Sequence, residues 1–289
     1  MKSIILLSII CLFINIAFGQ QYRPVVLMHG VNSDASSMDE VVTWIQNALP
    51  GIYVVNMEIG DGKWDSIFKT MDEQVEIYSQ NVLADPKLAN GFNAIGFSQG
   101  TLVTRGYIEK FNNPPVHNFI SWAGPQNGQF GTPYLNIKWI DELLDTTPYS
   151  EFVQKTFGVG GYWKSPYAME QYLDDSAYLA DLNNERTVKN QTYYNNINSL
   201  NAMVLSYSLN DEVIVPKESG IFGFYADDTQ KTIVPLQQSQ QYIEDWIGLR
   251  SLDQSGRLHF YNTTCKHGEH PTSVCYQYFE SFTLPFLQN

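Results

Sequence analysis

Regular patterning begins at Arg23-Pro24-Val25-Val26-Leu27-Met28-His29-Gly30, a continuous apolar run ending in His-Gly. Apolar residues without polar alternation suit a central strand covered on both faces. A polar loop over 31–38 leads to a helix over 40–49, which Pro50-Gly51 stops. Ile52-Tyr53-Val54-Val55-Asn56-Met57 reads as the second strand. Beyond Gly60-Asp61-Gly62, the positions Ile67, Phe68, Met71, Val75, Ile77, Tyr78 and Val82 fall mainly on one helical face. They predict a single helix over 64–83, ended by Asp85-Pro86. A strand over 91–97, a helix over 101–108 and a strand over 117–122 follow. This alternation predicts a mostly parallel, doubly wound α/β sheet with helices on both faces.

The alternation stops over 124–198, where tyrosine, tryptophan and phenylalanine are frequent. That stretch reads as helices and loops inserted above the sheet. Its aromatics suit either a helical core of their own or the cover of an apolar groove. Strand patterning resumes at Ala202-Met203-Val204-Leu205-Ser206-Tyr207 and again at Arg257-Leu258-His259-Phe260-Tyr261. Helices are expected over 237–247 and 272–282.

The chain has 289 residues and is 44% hydrophobic, enough for one large α/β domain over 20–289. Its net charge of −13 argues against nucleic acid and anionic membrane surfaces as primary partners. Residues 1–19 read as a secretory signal peptide: Lys2 opens it, an apolar run follows, and Ala17-Phe18-Gly19 forms the cleavage site. No later stretch is apolar enough for stable membrane insertion. Cys11 leaves with the signal, so Cys265 and Cys275 remain as an even pair in an oxidising compartment and are expected to form a disulfide. Asn190 and Asn262 open glycosylation sequons. The sequence carries no reading of oligomeric state.

The chemistry centres on Gly96-Phe97-Ser98-Gln99-Gly100, a Gly-x-Ser-x-Gly run between a predicted strand and a predicted helix. On such a turn the serine is exposed on a strained backbone, and small residues are needed two positions to either side. An ordinary loop serine is the bland alternative. A serine nucleophile needs a base, and the base an orienting acid. Asp211 follows the 202–207 strand, where the acid belongs, with Glu212 as competitor. His267 and His270 both lie in the loop after the last strand, so the base is one of the two, with His270 preferred. His29, His117 and His259 read as structural. Backbone N–H groups of Val31 and Gln99 are the expected oxyanion donors. No metal site or phosphate-binding glycine loop stands out, and no cofactor is expected.

Several segments resemble the palmitoyl-protein thioesterases, lysosomal hydrolases of the α/β-hydrolase fold. They include Asn93-Ala94-Ile95-Gly96-Phe97-Ser98-Gln99-Gly100, Asp85-Pro86-Lys87-Leu88, Phe222-Gly223-Phe224-Tyr225 and Gly268-Glu269-His270. The resemblance runs over most of the mature chain. It implies removal of long fatty acyl groups from S-acylated proteins, with acyl thioesters such as palmitoyl-CoA as further substrates. It implies Ser98 as nucleophile, Asp211 as acid and His270 as base, an acyl groove beneath the inserted region, and delivery to the lysosome or secretion. The chain departs from the family's first type at Ser36-Ser37, where that type carries cysteine, and at Thr101, where glycine is common. A lipase or carboxylesterase acting on oxygen esters is the alternative enzyme, and a secreted lipid-binding protein with a vestigial triad the alternative class.

Overall fold

The computed structural model describes residues 22–132 and 134–288. The expected signal peptide at 1–19 lies outside the described residues. The first half alternates strand and helix: β1 (Val25–Met28), α1 (Asp39–Ala48), β2 (Val54–Met57), α2 (Lys63–Phe68), α3 (Met71–Ala84), β3 (Phe92–Phe97), α4 (Gln99–Lys110) and β4 (Val116–Trp122). Among the described residues, five α-helices separate β4 from the next strand: α5 (Lys138–Thr146), α6 (Glu151–Thr156), α7 (Met169–Asp175), α8 (Leu179–Leu182) and α9 (Gln191–Asn198). Then come β5 (Ala202–Ser208), β6 (Phe224–Tyr225), β7 (Ile233–Val234), α10 (Gln240–Ile243), α11 (Leu249–Gln254), β8 (Leu258–Thr263) and α12 (Tyr276–Tyr278).

Six strands form one parallel sheet in the order β2-β1-β3-β4-β5-β8, and β6 and β7 pair separately as a short hairpin. The parallel, doubly wound sheet expected from the alternation is present. Strand β1 explains why its sequence is apolar throughout. Val26 and Met28 join the core cluster under α3 and α4, while Val25 and Leu27 join the cluster on the opposite face with Trp44 and Ile45 of α1. The chain runs outward from β1 to β2, then returns across β1 to β3. Ligand crevices of open α/β sheets form where the strand order reverses, beyond the carboxyl ends of the strands. Here that place lies between the loops after β1 and β3.

Three expected helices are broken differently. The one expected over 64–83 is two helices, because Lys69 is extended and Thr70 starts a new one. Thr70 and Glu73 form a reciprocal capping box, in which the Glu73 carboxylate accepts the Thr70 N–H at 2.8 Å. The 237–247 helix is a four-residue α10, with a separate α11 after Gly248 in the left-handed region at φ +86°. The terminal 272–282 helix is a series of short 3-10, α and wide turns.

Candidate active site

Ser98 sits at the β3–α4 junction with φ +53° and ψ −128°, a region that residues with a Cβ rarely occupy. The surroundings hold it there. Its N–H donates to the Trp122 carbonyl at 2.9 Å, and the Thr101 hydroxyl donates to its carbonyl at 2.7 Å. A Cβ on Gly96 would lie 2.6 Å from the Thr101 Cα, and one on Gly100 would lie 2.3 Å from the His29 carbonyl oxygen. Both contacts are to backbone, so neither glycine can be replaced without moving the elbow. Strand register also brings β1 in. Met28 pairs with Gly96, so two residues on Gly30 lies beside Ser98, where an added Cβ would stand 3.0 Å from the Ser98 Cβ.

The loop after β1 is tied at several points. The His29 Nδ1 donates to the Gly30 carbonyl at 2.8 Å, and its Nε2 lies 2.8 Å from a Glu58 carboxylate oxygen. The other Glu58 oxygen accepts the Ala35 N–H at 2.8 Å, and the Ser66 hydroxyl accepts the Asn32 N–H at 2.9 Å. Neither Glu58 nor Ser66 was given a role from the sequence, because their contribution depends on contacts between segments, not on local motifs.

Strands β5 and β8 deliver the other two groups. Ser208 pairs with Thr263 at their carboxyl ends, and pairing continues past both strands. The Leu209 N–H donates to the Thr263 carbonyl at 2.9 Å, the Asn210 side chain donates to the Thr264 carbonyl at 2.8 Å, and the Ser208 hydroxyl donates to the Cys265 carbonyl. The two loops are thereby zipped together. Asp211, three residues beyond Ser208, meets His267, four residues beyond Thr263.

This geometry corrects the expected base. His267 Nε2 is 3.0 Å from the Ser98 Oγ, and its Nδ1 is 2.9 Å from an Asp211 carboxylate oxygen. His270 reaches neither group. It turns back under the loop, with Nδ1 donating to the His267 carbonyl at 2.9 Å and Nε2 3.1 Å from the Thr263 hydroxyl. The preference for His270, which the resemblance at Gly268-Glu269-His270 had favoured, fails because pairing of Ser208 with Thr263 sets His267, not His270, across from Asp211.

Proton assignments follow from the partners. A carboxylate accepts only, so His267 donates from Nδ1, leaving Nε2 bare to accept the Ser98 hydroxyl proton. Burial by itself would raise the Asp211 carboxyl. The hydrogen bond and charge of His267, with the N–H groups of Ile214 and Val213, outweigh it and hold the group below the usual carboxylate range. Those two N–H groups are each 2.9 Å from the second Asp211 oxygen. Glu212, the competing acid, instead faces the His267 backbone N–H at 3.4 Å. Burial lowers His270 below the ordinary histidine value, consistent with a neutral ring that donates from Nδ1 and accepts at Nε2.

A cavity of about 290 Å³ opens over Ser98 and His267 and is lined by Gly30, Val31, Phe97, Tyr134, Leu135 and Val213 among others. A larger one of about 950 Å³, around 185–191, is lined by none of Ser98, Asp211 and His267. Val31 lines the cavity over Ser98, and Gln99 opens α4. Among the described residues of 124–198, Tyr149, Phe157, Tyr162, Trp163, Tyr172 and Tyr178 are buried in the core, and Tyr134 lines the cavity over Ser98. Cys265 and Cys275 form a disulfide across the His267 loop. Asn190 and Asn262 are both exposed. Among the described residues no helix is long and apolar enough to cross a membrane.

Comparison with known proteins gives consistent matches. The family model described as palmitoyl protein thioesterase matches residues 24–267. The chain is 57% identical over 287 residues to palmitoyl-protein thioesterase 3 of Dictyostelium discoideum, covering 99% of both chains. It is 33% identical over 251 residues to a Drosophila melanogaster protein named as a lysosomal thioesterase PPT2 homolog, covering 84% of this chain and 85% of the relative. Among solved structures, a monoacylglycerol lipase of Paleococcus ferrophilus superposes with a TM-score of 0.51 at 12% identity, covering 93% and 96% of the two chains. At that identity the likeness is one of fold.

Proposed function

This chain belongs to the palmitoyl protein thioesterase family, and from that premise we propose that it hydrolyses long-chain acyl thioesters, removing fatty acyl groups from S-acylated cysteines. The observation that carries the reading is the unbroken line from the Ser98 Oγ through His267 to Asp211, at 3.0 and 2.9 Å, on a strained elbow. The Ser98 Oγ attacks the thioester carbonyl as His267 takes its proton. The C–S bond breaks, and the departing sulfur takes the proton from Nε2, so the thiol is released and His267 is neutral again. Water then gives a proton to His267 and adds to the acyl-enzyme. The C–Oγ bond breaks, Oγ recovers the proton, and the fatty acid departs. Asp211 holds the ring in its Nδ1–H tautomer and stabilises the cation that forms. Main-chain N–H groups of Val31 and Gln99 meet the oxyanion. A thiolate is a good leaving group, so acylation does not depend on protonating a strong base.

The acyl chain enters the cavity beside Val31, Phe97, Tyr134, Leu135 and Val213. Its 290 Å³ is at the small end for ligand pockets, so a long chain continues past it beneath the lid-like segment 124–198. The protein works in the lysosome, reached by the secretory route: a relative is named as lysosomal, residues 1–19 read as a signal peptide, and the sequon asparagines Asn190 and Asn262 are exposed for glycosylation. The test compares wild type with Ser98→Ala on palmitoyl-CoA, an S-palmitoyl peptide and a matched oxygen ester, with fluorophosphonate labelling alongside. Wild type turns over the thioesters faster and is labelled at Ser98, and the variant does neither. Thioester turnover surviving in Ser98→Ala, or faster oxygen-ester turnover in wild type, overturns the reading.

A further inference from the structure

The buried hydroxyl of Tyr134 has no part in the serine–histidine–aspartate line, yet Tyr134 and Ser98 line the same cavity. It is 4% exposed and lines the catalytic cavity. Its other neighbour is Tyr162, with the two hydroxyl oxygens 3.2 Å apart. The proton count along this chain is determined by its far end. The Gln99 Nε2 donates to the Ser66 carbonyl at 2.8 Å and to the Gln74 side-chain oxygen at 3.0 Å. A backbone carbonyl only accepts, so the amide orientation of Gln99 is fixed and its Oε1 must accept. Tyr162 donates to that oxygen at 2.9 Å and has no second proton. Toward Tyr134, Tyr162 offers lone pairs alone.

Tyr134 therefore has one proton and two possible recipients, Tyr162 and the Ser98 Oγ. While Ser98 is a free hydroxyl giving its proton to His267, the Tyr134 proton rests on Tyr162, and the nucleophile's lone pairs stay uncommitted. Once Ser98 is acylated, Oγ has no proton, and it gains negative charge when the acyl group is released. We propose that Tyr134 is a catalytic residue of deacylation: its hydroxyl turns from Tyr162 to the Ser98 Oγ and stabilises that oxygen as it is expelled. The proton stays on Tyr134 throughout, and the proton that restores the Ser98 hydroxyl comes from His267.

The asymmetry between the two half-reactions follows from leaving groups, and this step rests on the thioesterase reading above. The acylation intermediate holds a serine oxygen and a sulfur. Thiolate departs so readily that a donor on Oγ hardly changes the partition. The deacylation intermediate holds a serine oxygen and a water oxygen, two leaving groups of similar basicity. A donor on Oγ there drives the intermediate forward, toward the free enzyme.

The experiment is pre-steady-state thiol release from palmitoyl-CoA by wild type and Tyr134→Phe, beside Ser98→Ala. In Tyr134→Phe, kcat falls about tenfold or more, less than the 10²–10³ typical of a dedicated oxyanion donor. Its kcat/KM stays within about threefold, because acylation is spared, and the thiol burst rises toward one equivalent per enzyme. Loss of kcat/KM in step with kcat, without a burst, or an unchanged kcat, overturns the proposal. Should Tyr134→Phe fold poorly, fluorotyrosine at position 134 keeps the shape and makes a better donor. It speeds single-turnover deacylation, and an unaltered rate counts against the assignment. Failure of the thioesterase reading is distinct, because wild type itself would then release no thiol.

Discussion

The loops after β3 and β8 both supply the active site, but they are built on different principles. After β3, the main chain leaves no choice. Backbone approaches of 2.3–2.6 Å would meet any Cβ at Gly96 or Gly100, and Ser98 takes its strained angles because everything around it is packed. After β8, side chains do the selecting. Two histidines flank one 3-10 turn, His267–Glu269, and each ring goes where its hydrogen-bond partners are. The first meets Asp211 and Ser98, and the second supports the carbonyl of the first. Steric necessity makes an element readable from a short motif, whereas partner choice requires knowing what lies across from it.

The sharpest way to break this comparison is to remove each histidine in turn. His267→Ala lowers kcat by at least about a thousandfold, as loss of a triad base does. His270→Ala leaves the base in place but removes the bond to its carbonyl, and costs about tenfold through misplacement of the imidazole. Steady-state hydrolysis of palmitoyl-CoA by the two purified variants checks this. Equal losses, or the larger loss at 270, reverse the roles given to the two rings.

Legibility followed the same division. The parallel sheet, the elbow and the place of Asp211 after β5 were all readable, because apolar runs, a glycine spacing and a strand-end aspartate are local signals. Asp211 accepts from Val213 and Ile214, the tight turn that an Asn-Asp pair favours. His267 was weighed and ranked second, because nothing local to the loop says which ring lies across from Asp211. Tyr134 went unweighed as a participant because it sat among a dozen aromatics with the same composition signal, most of them core. Nothing in spacing separates Tyr134 from Tyr162 or Tyr172, which are wholly buried. The break at Lys69 was visible in principle as Thr-x-x-Glu at 70–73, a capping box set inside an apolar period.

The elbow side of the comparison is tested by Gly96→Ala. The new methyl would lie 2.6 Å from the Thr101 Cα and 2.7 Å from its nitrogen, both in the first turn of α4. Neither can withdraw without dragging β3 or α4. Such overpacking costs on the order of 1–3 kcal/mol or more. The melting temperature falls by several degrees, and fluorophosphonate labelling of Ser98 slows. A variant as stable and as fast to label as wild type would mean that the elbow adapts, and that its readable motif owes little to sterics.

The smallest effect expected is the dependence of the β8 loop on pH. Burial holds His270 below its ordinary value in the folded chain, so the unfolded chain binds the proton more readily. The groups facing it are His267, whose positive charge would oppose a second one, and Asp211, which favours it. The Thr263 hydroxyl and the Phe97 ring complete the contact. For a histidine depressed on folding, the stabilisation is full above the unfolded value of about 6.5 and is lost as the pH falls toward the folded value. The slope in that window cannot exceed about 1.4 kcal/mol per pH unit. His270→Gln carries no proton to lose and keeps a side-chain donor for the His267 carbonyl. Melting wild type and His270→Gln between pH 7.5 and 5 isolates the contribution: the wild-type curve falls relative to the variant on acidification. Parallel curves would remove the neutral, bracing role of His270, and with it the reason given for two histidines sharing one turn.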